Sequence, residues 1–188
     1  MNTIFEKKNI LVTGGAGFIG SHLCEELLRE GRVICLDTFI TSQEANIDHL
    51  LKHPDFEFIR HDITQPLDLE AFPELARFQM KVQGVQEIYH LACPTSAKKF
   101  EQFRMQTLYT NSVGTRYALD LAVRYKAKFV LASSCVVYGN RPDDGHLLRE
   151  EEIGSSDTLS PRACYDEGKR WAESICATYA QQYGVEAK

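Results

Sequence analysis

The stretch Thr13-Gly14-Gly15-Ala16-Gly17-Phe18-Ile19-Gly20 decides the fold. It follows the apolar run Asn9-Ile10-Leu11-Val12, which reads as a buried strand over 9–13, and it opens a helix expected over 18–30. The residues satisfy G-x-G-x-x-G from Gly15 and G-x-x-G-x-x-G from Gly14. A chain that turns from strand to helix around a pyrophosphate needs a tight bend, a close backbone approach and close helix–strand contact; side chains obstruct all three. The helix start then offers unpaired N–H groups and a partial positive charge to an anion.

Working outward, a second strand is expected over 32–36, with Gly31 as the stop of the first helix. Asp37 ends that strand, 20 residues after Gly17. A carboxylate there suits the adenosine ribose hydroxyls and disfavours a 2′-phosphate, and neither Thr38 nor Phe39 supplies a compensating cation, so NAD is expected rather than NADP. Further strands are expected over 56–59, 87–91 and 128–133. A short helix is expected over 43–51, helical character over 67–81, a long helix over 102–125 and a last helix over 162–183; the polar segment 141–160 reads as a loop. Strand and helix alternating in this rhythm specify an α/β fold: a doubly wound parallel sheet, or Rossmann fold, in one domain over 1–188. The end, Gly184-Val185-Glu186-Ala187-Lys188, reads as entry into a sixth strand.

Tyr165 and Lys169 stand at i and i+4 on the last helix and so share a face. An ammonium so placed stabilises a phenolate, and such a tyrosine can take a proton from a sugar hydroxyl while hydride leaves the same carbon. Ser133 and Ser134 follow the fifth strand, at the end of the sheet where ligands sit in this fold class; either hydroxyl could instead cap the strand end.

Composition narrows the rest. The 188 residues are 44% hydrophobic and 25% charged, with net charge −5, which leaves no reason to expect a nucleic-acid or membrane partner. No run of about 18 apolar residues suggests a membrane span, and residues 1–9 lack the pattern of a signal peptide. The six cysteines form no C-x-x-C pair and fall mostly in apolar stretches, so buried free thiols in a reducing cytosol are expected, and no metal site.

These residues resemble the extended short-chain dehydrogenase/reductases, the NAD-dependent epimerase/dehydratase group, nearly end to end. The motif L-V-T-G-G-A-G-F-I-G-S-H-L at 11–23 is general to the group. F-I-R-H-D at 58–62, H-L-A-C-P at 90–94 and C-Y-D-E-G-K-R at 164–170 are more specific, and are most similar to the branch that decarboxylates UDP-glucuronate. The resemblance implies Gly14, Gly17 and Gly20 on the pyrophosphate, with Phe18 and Ile19 in the same turn, and Asp37 on the ribose. Asp62 and Ile63 would flank the adenine, and Leu91 and Ala92 would line the cofactor. It implies Tyr165 as base, Lys169 as its partner and Ser134 as the catalytic hydroxyl, with Asn111, Arg162 and Ser133 on the substrate side. The implied chemistry is oxidation of the sugar at C4, loss of carbon dioxide and re-reduction, with a UDP-sugar substrate, a homodimer and a cytoplasmic setting.

The sequence departs from the group in places. Val136 stands where decarboxylases and dehydratases carry a glutamate, which opens 4-epimerase or other oxidoreductase chemistry. Residues 95–100 lack the usual proline and tyrosine of a substrate-facing loop, and 68–86 look longer by a helical surface insert. Members of the group continue well past residue 188, into a region that closes on the sugar nucleotide. A chain without that region is expected to bind NAD and to hold UDP-sugars weakly; the alternative is a catalytically silent NAD-binding or interaction protein.

Overall fold

The computed structural model describes residues 7–95, 100–139, 145 and 147–188. Residues 96–99 of the substrate-facing loop, 140–144 and 146 of the long polar segment, and 1–6 lie outside the described residues.

Five strands, β1 (Lys8–Thr13), β2 (Gly31–Asp37), β3 (Phe56–Arg60), β4 (Glu87–His90) and β5 (Lys128–Leu131), form a parallel sheet in the order β3-β2-β1-β4-β5. The order reverses at β1, between β2 and β4, and so opens a crevice beyond the carboxyl ends of those strands. Alternate side chains serve two cores. Ile10 and Val12 of β1 face α1 (Phe18–Leu27) together with Cys24, Leu27, Val33 and Phe56. Leu11 faces the other way, with Ile34, Ile88, Phe129 and the apolar face of α3 (Thr115–Tyr125). Burial on both faces explains why the strands read as near-continuous apolar runs.

Gly31 does not stop the first helix; it is the first residue of β2, and α1 ends at Leu27. A side chain at Gly31 would meet the Lys8 carbonyl at 2.5 Å, so the glycine serves the strand pairing. The expected helix over 43–51 shrinks to a 3₁₀ turn at Glu44–Asn46, with Ile47 and Leu50 buried beyond it. The expected surface insert is no surface helix: Leu69–Ala71 and Pro73–Phe78 form 3₁₀ turns that bury Leu69, Leu75 and Phe78 in the core. The insert seals the amino ends of the strands. The Asn9 amide donates to the Phe78 and Gly84 carbonyls at 2.7 and 2.8 Å, and Arg77 donates to the Phe56 carbonyl at 2.6 Å.

The long helix expected over 102–125 is interrupted. α2 (Phe100–Tyr109) runs into a π turn at Thr110–Gly114 before α3 begins. β5 ends at Leu131 rather than at 133, and a 3₁₀ turn follows at Cys135–Tyr138. α4 (Ala163–Tyr183) carries the tyrosine and the lysine. At the chain end Ala187 bridges Phe129 in parallel, and Lys188 N donates to the Phe129 carbonyl at 2.9 Å.

All six cysteines are free. Cys24, Cys35 and Cys176 are buried and Cys93 and Cys164 half-buried, but Cys135 is exposed on the turn after β5, where no core reaches it. Among the described residues no helix is long and apolar enough to cross a membrane, and no cluster of His, Cys, Asp or Glu could hold a metal ion.

Candidate active site

The glycine turn is built as the sequence demands. Gly14 has φ of +72°, and a Cβ there would lie 2.7–2.8 Å from the backbone of Leu91 and Ala92 in the loop after β4. A Cβ at Gly20 would lie 2.3 Å from the Gly14 carbonyl. The turn is thus pressed between α1 and the β4 exit. Gly17 caps α1 with no side-chain hydrogen bond and no acid follows in the first turn, so the leading amides of the helix stand ready for an anion.

The crevice has two halves that share Gly14, Gly17 and Cys93. The first is lined by Asp37, Asp62, Ile63 and Ala92 together with His61, and also by Ser42, which no motif included. Asp62 holds its own loop, its Oδ1 accepting from Thr64 N at 2.9 Å, and Ile63 belongs to the core. The Asp37 carboxylate accepts four bonds: from Thr38 N at 2.8 Å, Phe39 N at 2.9 Å and Ser42 Oγ at 2.9 Å on Oδ1, and from Ala16 N at 3.0 Å on Oδ2. It therefore ties the glycine turn to the loop after β2. Asn46 reinforces the tie by donating to the Ala16 carbonyl at 2.8 Å.

The second half is lined by Phe18, Ile19, Gly20, Leu91, Ser133, Tyr165 and Lys169. Phe18 and Ile19 are 78% and 70% exposed there, much apolar surface for a helix start. Lys169 is buried, its Nζ 6.0 Å from the Tyr165 ring centroid and 2.7 Å from the Ala132 carbonyl, to which it donates. Burial holds its ammonium below the ordinary lysine value, while Cys93 and Glu173 pull the other way.

Ser133 lines the crevice and donates to Glu173 at 2.5 Å, whereas Ser134 caps the following turn by accepting from Val136 N at 3.5 Å. The structure brings Ser133, not Ser134, beside Tyr165. Arg162 lies outside both halves. It lines a neighbouring cavity with Val136, Gly139 and Ser156, and pairs with Asp166 at 3.5 Å.

Asn111 is buried in the π turn rather than exposed to the crevice. Its amide donates to the Thr107 carbonyl at 2.9 Å and to Cys93 Sγ at 3.1 Å, and Gly168 of α4 packs on it so closely that a Cβ would lie 3.0 Å away. Burial pushes the Cys93 thiol up, so it acts as a neutral wall of the crevice. His90 is also buried, and burial and the charge of Lys169 push it down to about 3. Cys93 lies in the H-L-A-C-P motif, which assigns it no role, and no motif includes Ser42; the folded crevice places both in its wall.

Residues 10–188 match the family model described as the NAD dependent epimerase/dehydratase family. The chain is 42% identical over 184 residues to UDP-glucuronic acid decarboxylase 1 of Xenopus tropicalis, covering 97% of this chain and 40% of that protein. It is 40% identical to UDP-glucuronic acid decarboxylase 6 of Arabidopsis thaliana, covering 100% of this chain and 51% of that protein. The UDP-glucuronic acid 4-epimerase of Bacillus cereus, solved with NAD, superposes with a TM-score of 0.73 at 31% identity, over 95% of this chain and 54% of that one. The chain thus spans about half, or less, of the length of the relatives it matches.

Proposed function

The chain belongs to the NAD dependent epimerase/dehydratase family, and from that premise we propose that it is the cofactor-binding part of an enzyme that remodels the sugar of a UDP-sugar, with UDP-glucuronate decarboxylation as the leading activity. One observation carries the reading: Tyr165 and Lys169 line the same half-crevice as Gly17 and Gly20. NAD, when bound, would supply the reversible two-electron oxidation needed at the sugar C4. The chain's own residues do the rest. Tyr165, as a phenolate stabilised by the buried Lys169 cation, takes the C4 hydroxyl proton as the carbon becomes a ketone. In a glucuronate that ketone stands β to the carboxylate, so the C5–carboxyl bond breaks with its electron pair moving into the carbonyl. The resulting enolate takes a proton from solvent at C5, and Tyr165 returns its proton to the C4 oxygen as the ketone is reduced. Cofactor and tyrosine end as they began.

A second reading is 4-epimerisation, and Val136 favours it. A valine in the cavity shared with Arg162 cannot exchange the C5 proton, whereas epimerisation needs only oxidation at C4 and return of hydride to the opposite face. We also infer a homodimer through α2 and α4, on which Met105, Tyr109 and Trp171 remain exposed, and a reducing cytosolic setting suited to six free thiols.

Titration calorimetry with NAD⁺ and with UDP-glucuronate is expected to show NAD⁺ binding and weak sugar-nucleotide binding to this chain. NMR analysis of products from the longest natural form, given UDP-glucuronate and NAD⁺, separates a UDP-pentose from a C4 epimer. A chain that does not bind NAD⁺ would sink the reading.

A further inference from the structure

Two threonine hydroxyls meet at the buried His90, and each of them also meets a backbone group. The imidazole is 2% exposed. Its Nδ1 lies 2.7 Å from Thr13 Oγ1 and its Nε2 lies 3.2 Å from Thr115 Oγ1. Thr115 Oγ1 is also 2.8 Å from the Asn111 carbonyl, and Ala92 N is 3.4 Å from Thr13 Oγ1.

These contacts fix a direction. A carbonyl can only accept, so the single Thr115 hydroxyl proton is committed to Asn111. Towards His90 the Thr115 oxygen can then only accept, and Nε2 must carry the hydrogen. A buried imidazole in this setting is neutral, which leaves a lone pair on Nδ1 for the Thr13 hydroxyl proton. Thr13 Oγ1 in turn accepts from the Ala92 amide. The opposite tautomer would set the Nε2 lone pair against the Thr115 oxygen and leave the Nδ1 hydrogen facing the Thr13 hydroxyl. The hydrogen-bond census closes only one way.

We propose that His90 is a positioning residue: as its Nε2–H tautomer it holds a one-way chain from Ala92 N–H through Thr13, His90 and Thr115 to the Asn111 carbonyl, fixing one wall of the crevice against the other. One end of the chain is Ala92, which lines the adenosine half and abuts Gly14. The other end is the π turn, whose Asn111 touches Cys93 and packs on Gly168, next to Lys169. Thr115 donates to the Asn111 carbonyl within that turn, and His90 reaches it through Thr115. The role in cofactor binding rests on the reading that the crevice takes NAD; the tautomer does not.

The chain with ¹⁵N-labelled histidine, free of cofactor, is measured by long-range ¹H–¹⁵N NMR, and His90→Asn identifies the signal among six histidines. The expected result is a neutral Nε2–H ring at pH 6; an Nδ1–H ring or an imidazolium would overturn the proposal. Thr115→Val, which is isosteric but lacks the hydroxyl, is expected to bind NAD⁺ about tenfold more weakly, and Thr115→Ser to bind like the parent. NAD⁺ binding by Thr115→Val equal to the parent overturns the positioning role. Should Thr115→Val fail to fold, a tenfold loss in Thr115→Ser would overturn the role just as firmly. A parent chain that takes no NAD⁺ removes the cofactor reading, and the tautomer still decides the chain.

Discussion

Alanine substitutions at Gly17 and Gly20 should separate what the turn does for the fold from what it does for a ligand. At Gly20 a Cβ would lie 2.3 Å from the Gly14 carbonyl and 2.7 Å from Gly15 Cα, both backbone, so the turn itself must move. Overpacking against backbone at such distances belongs in the upper part of the usual range, about 2–3 kcal/mol, offset by about 1 kcal/mol of helix propensity gained over glycine. For a chain of this size each kcal/mol is worth roughly 2–4 °C in Tm, so Gly20→Ala should melt about 2–8 °C lower. At Gly17 a Cβ meets only the Gly14 carbonyl, at 3.2 Å, and the backbone (φ −70°, ψ 173°) is one that any residue adopts. Gly17→Ala should therefore melt within about 1–2 °C of the parent. Yet Gly17 lines both halves of the crevice where a pyrophosphate needs the bare backbone, so NAD⁺ affinity should fall at least about tenfold. Scanning calorimetry and NAD⁺ titration on the two variants give four numbers. Undiminished NAD⁺ binding by Gly17→Ala, or an undiminished Tm for Gly20→Ala, refutes the assignment.

Other consequences follow from the buried groups. Burial lowers the folded value of Lys169 below the 10.5 of the unfolded chain, so between those values the unfolded chain holds more protons and stability rises with pH. Lys169→Met should remove that rise, read as Tm from neutral pH to pH 10. His90 shifts from 6.5 down to about 3, so its contribution is intact above about pH 6.5 and is lost as pH falls toward 3, at about 1.4 kcal/mol per pH unit. His90→Asn should flatten the acid limb of urea-denaturation stability plotted against pH; an unchanged limb contradicts a neutral buried ring. Asp37 already accepts four donors, about as many as its oxygens can take, and Ser42 Oγ is the one side chain among them. A ribose hydroxyl would replace it most cheaply, so Ser42→Ala should bind NAD⁺ as well as the parent or a few-fold better, and a tenfold loss in calorimetry would show that Ser42 itself holds the ligand.

Where local signals and tertiary demand agree, the chain could be read without coordinates. The sheet, the glycine turn and the pairing of Tyr165 with Lys169 follow from apolar period, turn chemistry and i, i+4 spacing, all of them short-range. The misreadings share one cause, which is contact between segments far apart in sequence. The π turn at Thr110–Gly114 has no local signature; its Gly114 lies against Ile63, far away in sequence, 3.0 Å from where a Cβ would be. Residues 68–86 have helical periodicity, yet Pro73 and the bonds from Asn9 and Arg77 divide them into 3₁₀ turns under the sheet. Ser134 reads from sequence as the catalytic hydroxyl ahead of a cap, because the turn it caps begins only once β5 ends two residues early.

The two sides of the site differ in how their polar groups are engaged, and that difference bears on what the chain can do. On the cofactor side the helix start lacks a side-chain cap and Asp37 organises the turn around the place a ribose would take, so little reorganisation is needed for a dinucleotide to enter. On the side proposed for the sugar several polar groups already have partners within the chain: Ser133 donates to Glu173, Ser134 accepts from Val136 N, and Arg162 pairs with Asp166. A sugar nucleotide would have to break those pairs and gain its own contacts from the few residues present, and each exchange of one hydrogen bond for another yields little net free energy. Tight NAD⁺ binding with weak sugar-nucleotide binding is thus the expected order of affinities for this chain, and a reversed order would mean that the sugar side rearranges more readily than its internal bonds allow.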